Sequence, residues 1–438
     1  MSAIFPASDV LVEPAPEAVG LVDRIEDAAC FVILLLLSGA LLAPLFSPDQ
    51  NPDAVPWLRT IWLPADAAVA VMVLRRPLQL SRVAIGAAMS LILCGWAFAS
   101  SRWSIQPDVT SRRAVALLFT TLFGLHLAAS RDWRRLAELF AGVFLVLVVG
   151  TYIACIGFPR FGRNDSAHPG AWSGLWYEKN QLGRLLTHGA LVSTCAALFA
   201  PERRRLWIAG AVLCVGAVVM SRSTTSLLGV GVLFGGMALI ALLRRGGWVR
   251  LATVWAMVAG GGGFLCIMAF APALFFAMIG KDPSLTGRTD IWAAVLRQVA
   301  LHPLAGWGYG AFWSDLWGPA WFIRHEVQWT APTAHDGWLD ILLQLGVIGL
   351  VLSALHFLVS AGAALWRLNK GNEAYWAISV MALFALFSVS ESTVMQYNEI
   401  TWTLYIATMA KLFEGPGFAT GPTPRASGVK LFPDEDWV

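Results

Sequence analysis

The sequence predicts an all-α polytopic membrane protein with about twelve transmembrane helices and one large extracytoplasmic loop that carries short helices. Three observations predict it. Of 438 residues, 57% are hydrophobic and only 13% charged, whereas a soluble domain carries about 25% charged residues. Apolar runs of span length recur along the chain, so the charge deficit does not come from a single anchor. Arginine-rich connections fall on every second gap between these runs, the pattern that loops on the cytoplasmic side of a membrane show.

A span needs about 20 mostly apolar residues. Residues 1–27 are polar, acidic and proline-containing, and Asp23-Arg24-Ile25-Glu26-Asp27 is not the basic start of a cleavable signal peptide. This segment reads as a cytoplasmic tail ahead of a retained first span. The candidate spans are 28–46, 58–74, 83–99, 114–129, 136–158, 181–200, 206–221, 224–243 and 251–278, then 337–366, 374–390 and 398–413. The second is weakened by Pro64 and Asp66, and the fourth is short. The chain thus divides into a tail (1–27), nine spans (28–278), a large loop (279–336), three more spans (337–413) and a Gly/Pro-rich cytoplasmic tail (414–438) that composition marks as disordered.

The basic connections hold Arg75, Arg76 and Arg82, then Arg131, Arg134 and Arg135, then Arg203–Arg205, then Arg244, Arg245 and Arg250, and finally Arg367 and Lys370. Placing them in the cytoplasm puts the two longest aromatic loops, 159–180 and 279–336, together on the far side. The net charge of +3 says little alone, and no basic tract suggests a nucleic-acid partner, so none is expected. All six cysteines lie in apolar runs without a CxxC pair and read as small hydrophobes. No zinc-type spacing, HExxH or phosphate-binding glycine loop is present, so no cofactor or metal is expected.

Within the large loop, Ile291, Trp292, Val295, Leu296 and Val299 keep helical spacing from Asp290 to Leu301. Thr289 suits the cap, and His302-Pro303 ends the helix. Such a helix lies either on the membrane surface or against the protein.

Candidate chemistry gathers in the extracytoplasmic loops. Arg102, Arg112, Arg113, Arg160, Arg163, Arg222, Arg288 and Arg324 stand where the topology rule disfavours cations. Guanidinium binds phosphate through two parallel hydrogen bonds and stays charged, which suits a phosphate-bearing headgroup. The alternative for any one of them is contact with anionic lipid or a loop carboxylate. His335 stands where the long loop turns into a span, a place that would fix an imidazole for acid–base work. Helix capping is its alternative role. His126, His188 and His356 lie in apolar runs and read as packed residues. Glu178, Lys179 and Asn180 stand at the mouth of another span, in an aromatic stretch that suits either sugar stacking or an interfacial belt.

Taken in order, five motifs resemble the O-antigen ligase and polysaccharide polymerase superfamily, and within it the ExoQ-like exopolysaccharide polymerases. They are Glu178-Lys179-Asn180-Gln181-Leu182-Gly183, Ser221-Arg222-Ser223-Thr224-Thr225, Thr286-Gly287-Arg288-Thr289-Asp290-Ile291-Trp292, Pro303–Gly310 and His335-Asp336-Gly337-Trp338-Leu339-Asp340. The likeness covers residues 80–412. It implies a GT-C-like helical fold in the bacterial inner membrane with the active site facing the periplasm. The implied reaction is metal-independent transfer of a glycan from an undecaprenyl-diphosphate carrier to an acceptor glycan hydroxyl. Implied partners are that lipid-linked glycan, the acceptor, membrane lipid, and a chain-length regulator or export machinery. Arg288 would be the large-loop arginine and His335 the loop histidine, with Glu178 a second candidate base. Arg163, Lys179, Asn180, Arg222, Trp307, Tyr309 and Trp338 would line the diphosphate and glycan subsites. The family often has His-Asn where this chain has His335-Asp336. The same residues would serve a ligase that moves a finished glycan to lipid A–core or protein. A transporter or flippase is the reading from another class. It would place ionisable groups near the bilayer midplane, whereas here they gather in loops.

Overall fold

The computed structural model describes residues 20–46, 60–164, 168–271, 288–315 and 317–414. The expected N-terminal tail up to residue 19, the start of the large loop through Gly287 and the tail from 415 lie outside the described residues. The helices are α1 (Leu21–Leu37), α2 (Leu42–Phe46), α3 (Trp62–Arg75), α4 (Pro77–Leu80), α5 (Ala84–Ala99), α6 (Pro107–Ser130), α7 (Trp133–Gly157), α8 (Pro159–Gly162), α9 (Lys179–Phe199), α10 (Arg204–Ser221), α11 (Thr224–Arg244) and α12 (Gly247–Phe270). They continue with α13 (Arg288–Val299), α14 (Ala320–Val327), α15 (Gly337–Trp366), α16 (Glu373–Ser388) and α17 (Ile400–Leu412). Among the described residues, strand pairing is confined to a two-residue antiparallel ladder, Arg163–Asn164 with Ala171–Trp172. The chain is therefore an all-α multi-pass membrane protein.

Every predicted apolar run contains a helix, but eight helices among the described residues are long and apolar enough to cross a bilayer. The other four, α1, α3, α16 and α17, have 17, 14, 16 and 13 residues. At 1.5 Å per residue they reach about 20–26 Å, against a hydrocarbon core of about 30 Å. The run expected over 28–46 is cut by a turn at residues 38–41, where Gly39 and Leu41 take positive φ. Its helix starts earlier than expected, at Leu21, so Asp23, Glu26 and Asp27 lie on one face of α1 rather than in a tail. Arg76 pairs with Asp23 and Glu26, and Arg131 with Asp27, which makes that charged first turn tolerable.

The basic connections do meet at one end of the bundle. Arg134 pairs with Glu202, Arg203 with Glu138, and Arg244 donates to the Leu368 and Gly371 carbonyls. At the centre α9 packs against α7, α10, α11 and α16, and 83% of its apolar window is buried. α12 is peripheral, with only 6% of its window buried, so its apolar surface faces outward as a lipid-facing helix should.

The described part of the large loop, from Arg288 onward, folds as its own layer over one end of the bundle. Ile291, Ala294, Val295 and Val299 of α13 pack against Ala320, Ile323, Ala331, Ala334 and Leu343. The helix predicted over Asp290–Leu301 therefore rests on protein, which decides between the two placements the sequence allowed.

Candidate functional site

The site is carried by α15 and by the segment 303–310 that docks on it. α15 is interrupted at Gly346, whose φ of 66° and ψ of −169° are outside the helical range. A Cβ there would stand 2.2 Å from the Leu304 carbonyl carbon, so backbone approaches backbone at a distance only glycine permits. The groups freed by the break are used at once. Val347 N–H donates to the Pro303 carbonyl at 2.8 Å, Trp307 N–H to Leu343 at 3.1 Å and Gly308 N–H to Gln344 at 2.9 Å. Broken helices persist in membranes where neighbouring backbone takes over these bonds. The glycine-spaced motif Gly306-Trp307-Gly308-Tyr309-Gly310 is thus a splint for α15, with all three glycines at positive φ.

At the head of α15, Asp336 is the N-cap and accepts from the Trp338 and Leu339 N–H groups at 2.9 Å. This answers the question that position 336 posed. Burial pushes the Asp336 carboxyl up, and the backbone donors and Arg288 oppose that. His335, one residue before the cap, has φ of 52°. Its N–H reaches Thr333 Oγ1 at 3.3 Å, and its ring stacks on Trp329 with centroids 5.3 Å apart.

The decisive contact is to a residue that the sequence reading did not single out. Glu391, just beyond the C-terminus of α16, holds Oε2 3.5 Å from His335 Nδ1 and Oε1 3.6 Å from an Arg288 Nη. Arg288 opens α13, where the helix dipole disfavours a cation, and Glu391 follows the end of α16, where it disfavours an anion. Each misplaced charge offsets the other. That signal was present in the sequence, because a lone carboxylate directly after an apolar run is out of place on dipole grounds. With the Nδ1 side facing Glu391, His335 Nε2 is left buried and without a hydrogen-bond partner. Thr393 Oγ1, two residues after Glu391, is likewise buried without a partner, so the site holds two polar atoms open to a further hydrogen bond. An imidazole, a carboxylate and a guanidinium in contact are the parts from which an activated proton acceptor can be built.

Glu178 belongs to the same electrostatic group. Although more than a third of it is accessible, the protein around it raises its pKa, the Glu391 carboxylate raises it further, and His335 opposes this. Lys179 and Asn180 follow as the first residues of α9. Gly183, one turn on, has no room for a Cβ, which would lie 2.4 Å from Ser226 Oγ and 3.1 Å from Ser221 Oγ. Two of the sequence motifs, 178–183 and 221–225, therefore touch.

The remaining predicted residues are held by other partners. Arg222 caps α10 in the left-handed region and donates to the Pro169 carbonyl at 3.3 Å. Arg163 Nε donates to the Cys155 carbonyl at 2.9 Å. Trp307 Nε1 donates to the Gln298 carbonyl at 3.0 Å, and Trp338 Nε1 to Ser388 Oγ at 2.9 Å. Tyr309 is 3% exposed, with its hydroxyl on the Met395 carbonyl and its pKa raised well above the usual range by burial. Trp172 and Trp176 are core residues, and Trp176 donates to the Ser38 carbonyl at 2.8 Å. Among the described residues no three His, Cys, Asp or Glu side chains gather closely enough to hold a metal ion.

Comparison with known proteins gives two matches. Residues 209–354 match the family model described as O-Antigen ligase. That stretch includes Arg222, Arg288 and His335 and stops short of Glu391. The chain is also 25% identical over 345 residues to the exopolysaccharide production protein ExoQ of Rhizobium meliloti (strain 1021), covering 76% of each chain. By these two matches the chain is similar to the O-antigen ligase family over residues 209–354 and to ExoQ over about three quarters of its length.

Proposed function

We propose that the protein transfers a glycan from an undecaprenyl-diphosphate-linked oligosaccharide to the hydroxyl of a growing glycan, polymerising an exopolysaccharide at the periplasmic face of the inner membrane. The observation that carries this reading is the Arg288–Glu391–His335 cluster at the end of the bundle away from the basic connections. Substitution at the anomeric carbon breaks the bond to the lipid diphosphate, and negative charge grows on the departing phosphate. Preorganised cations at that position lower the barrier. Arg288 supplies one, and Lys179 and Arg222 are the next candidates. His335 Nε2 accepts the proton of the attacking hydroxyl, and Glu391 orients the ring and stabilises the imidazolium that forms. Before substrate arrives, the Glu391 carboxylate occupies Arg288. The incoming diphosphate competes for that guanidinium, which leaves Glu391 to His335.

The basic pairs at the opposite end support the periplasmic placement, because positive connections mark the cytoplasmic side. The polymerase reading is favoured over ligation by the relative named for exopolysaccharide production. Purified protein mixed with lipid-diphosphate-linked repeat units tests it. A ladder of lengthening glycans on the lipid carrier is expected. Transfer of a glycan once to lipid A–core or protein, without a ladder, would make the chain a ligase instead.

A further inference from the structure

One buried carboxylate lies outside the chemistry above. Asp340, one turn into α15, is 2% exposed. Among the described residues no cation stands at ion-pair distance from it. A buried charge of this kind persists only when it is well hydrogen-bonded. Asp340 Oδ1 accepts from Trp313 Nε1 at 2.8 Å, both oxygens lie 3.2 Å from the Ala334 N–H, and Oδ2 accepts from the Ser392 hydroxyl. These donors come from three separate segments. Ala334 immediately precedes His335, and Ser392 immediately follows Glu391. The other side of Ala334 is also held, since its carbonyl accepts from Trp292 Nε1 at 3.0 Å. Asp340 therefore fixes the chain on either side of the one contact, His335 to Glu391, that aims the imidazole. It also holds the left-handed backbone at His335, which a non-glycine residue adopts only under such constraint.

We propose that Asp340 is a positioning residue of the site: it clasps the segments that carry His335 and Glu391 so that Nδ1 meets the carboxylate and Nε2 is presented to the acceptor. The proposal rests on His335 being the proton acceptor. Asp340 itself touches neither donor nor acceptor glycan.

The clasp geometry sets an unusual order of variants. In Asp340→Asn the amide oxygen can take the Oδ1 position and keep Trp313 and Ala334, while the NH2 donates to Ser392 Oγ. Asp340→Ala loses all of these bonds. With purified full-length protein and lipid-diphosphate-linked repeat units, Asp340→Ala should lower kcat by about 100-fold, the scale of a misplaced catalytic group, while KM for the donor stays unchanged. Asp340→Asn should restore most of the rate, and Ser392→Ala should fall between. A second readout does not depend on the reaction. Carbethoxylation of His335 by diethyl pyrocarbonate, followed by mass spectrometry, should be several-fold faster in Asp340→Ala than in wild type and near wild type in Asp340→Asn. Unchanged His335 reactivity in Asp340→Ala overturns the clasp, whatever the reaction. An inert wild-type protein whose His335 reactivity still follows the variant order removes the glycosyl-transfer reading and leaves the clasp standing. If Asp340→Ala does not fold, Trp313→Phe and Ser392→Ala each remove one donor and should each raise His335 reactivity. Wild-type reactivity in both contradicts the proposal.

Discussion

Substituting glutamine for Glu391 isolates the electrostatic part of the site while keeping its shape. The side chains of Arg288, His335 and Glu391 are 23%, 17% and 20% exposed, so the contact is screened but not solvated. At the 3.5 Å between His335 Nδ1 and Glu391 Oε2 and an effective dielectric near 20, one unit pair is worth about 4.7 kcal/mol before desolvation and screening. A charge-assisted hydrogen bond nets about 1.5–3 kcal/mol after those costs. The imidazolium that forms as His335 takes the acceptor proton loses that amount in Glu391→Gln. At about 1.4 kcal/mol per tenfold, the expected fall in kcat is roughly 10- to 150-fold. The assay is initial-rate elongation of lipid-diphosphate-linked repeat units by purified protein in nanodiscs. KM for the donor should stay level or fall, because Arg288 is freed from its internal carboxylate. A rate within twofold of wild type would refute the role given to Glu391. A loss confined to KM would move Glu391 from proton transfer to donor binding.

Three further outcomes follow from the geometry. Gly346→Ala places a Cβ 2.2 Å from the Leu304 carbonyl at positive φ, and should cost about 2 kcal/mol or more; a thermal melt unchanged from wild type would show that the α15 break is not needed. Asp336→Ala removes the N-cap of α15 and should cost about 1 kcal/mol, whereas Asp336→Asn should match wild type in both melting temperature and elongation; equal losses in both variants would assign Asp336 more than a cap. Burial, and then the Glu391 carboxylate, raise the folded pKa of Glu178, so its ionisation weakens the fold as pH rises through that value, and Glu178→Gln should raise the melting temperature at pH 8 but not at pH 4; a gain of equal size at both pH values would exclude the ionisation of Glu178 as the cause.

Much of this architecture was legible in the chain, for identifiable reasons. The apolar runs gave the helices because lipid demands intrahelical bonding, and 337–366 was placed to the residue. The pattern of arginines anticipated the basic end, since those side chains pair across connections. The number of crossings was less legible. Hydrophobicity alone does not distinguish a 14-residue helix such as α3 from a full span, and local breaks such as that at residues 38–41 depend on turn chemistry.

In the site, Arg288 and His335 were visible because each occupies a place its residue type does not favour without a partner. Glu391 was missed because its partners are distant in sequence, 103 residues from Arg288 and 56 from His335. Trp307 and Tyr309 illustrate the converse. The resemblance would put them at the diphosphate and glycan subsites; in the structure their segment is the splint that holds α15 across Gly346, a tertiary role with no local signal. The departure from His-Asn at position 336 has a simple physical account, since Asp and Asn cap helices about equally well.

The central claim is that a fixed guanidinium and an imidazole at one end of this bundle release a lipid diphosphate by glycosyl transfer. The most direct measurement is the appearance of free polyprenyl diphosphate when purified protein meets repeat units linked to a radiolabelled lipid carrier. Wild type should release one labelled lipid diphosphate per glycosidic bond formed, and Arg288→Ala and His335→Ala should release none above background while remaining folded. Release at the wild-type rate by both variants, or glycan elongation by wild type without release of the lipid diphosphate, would contradict it.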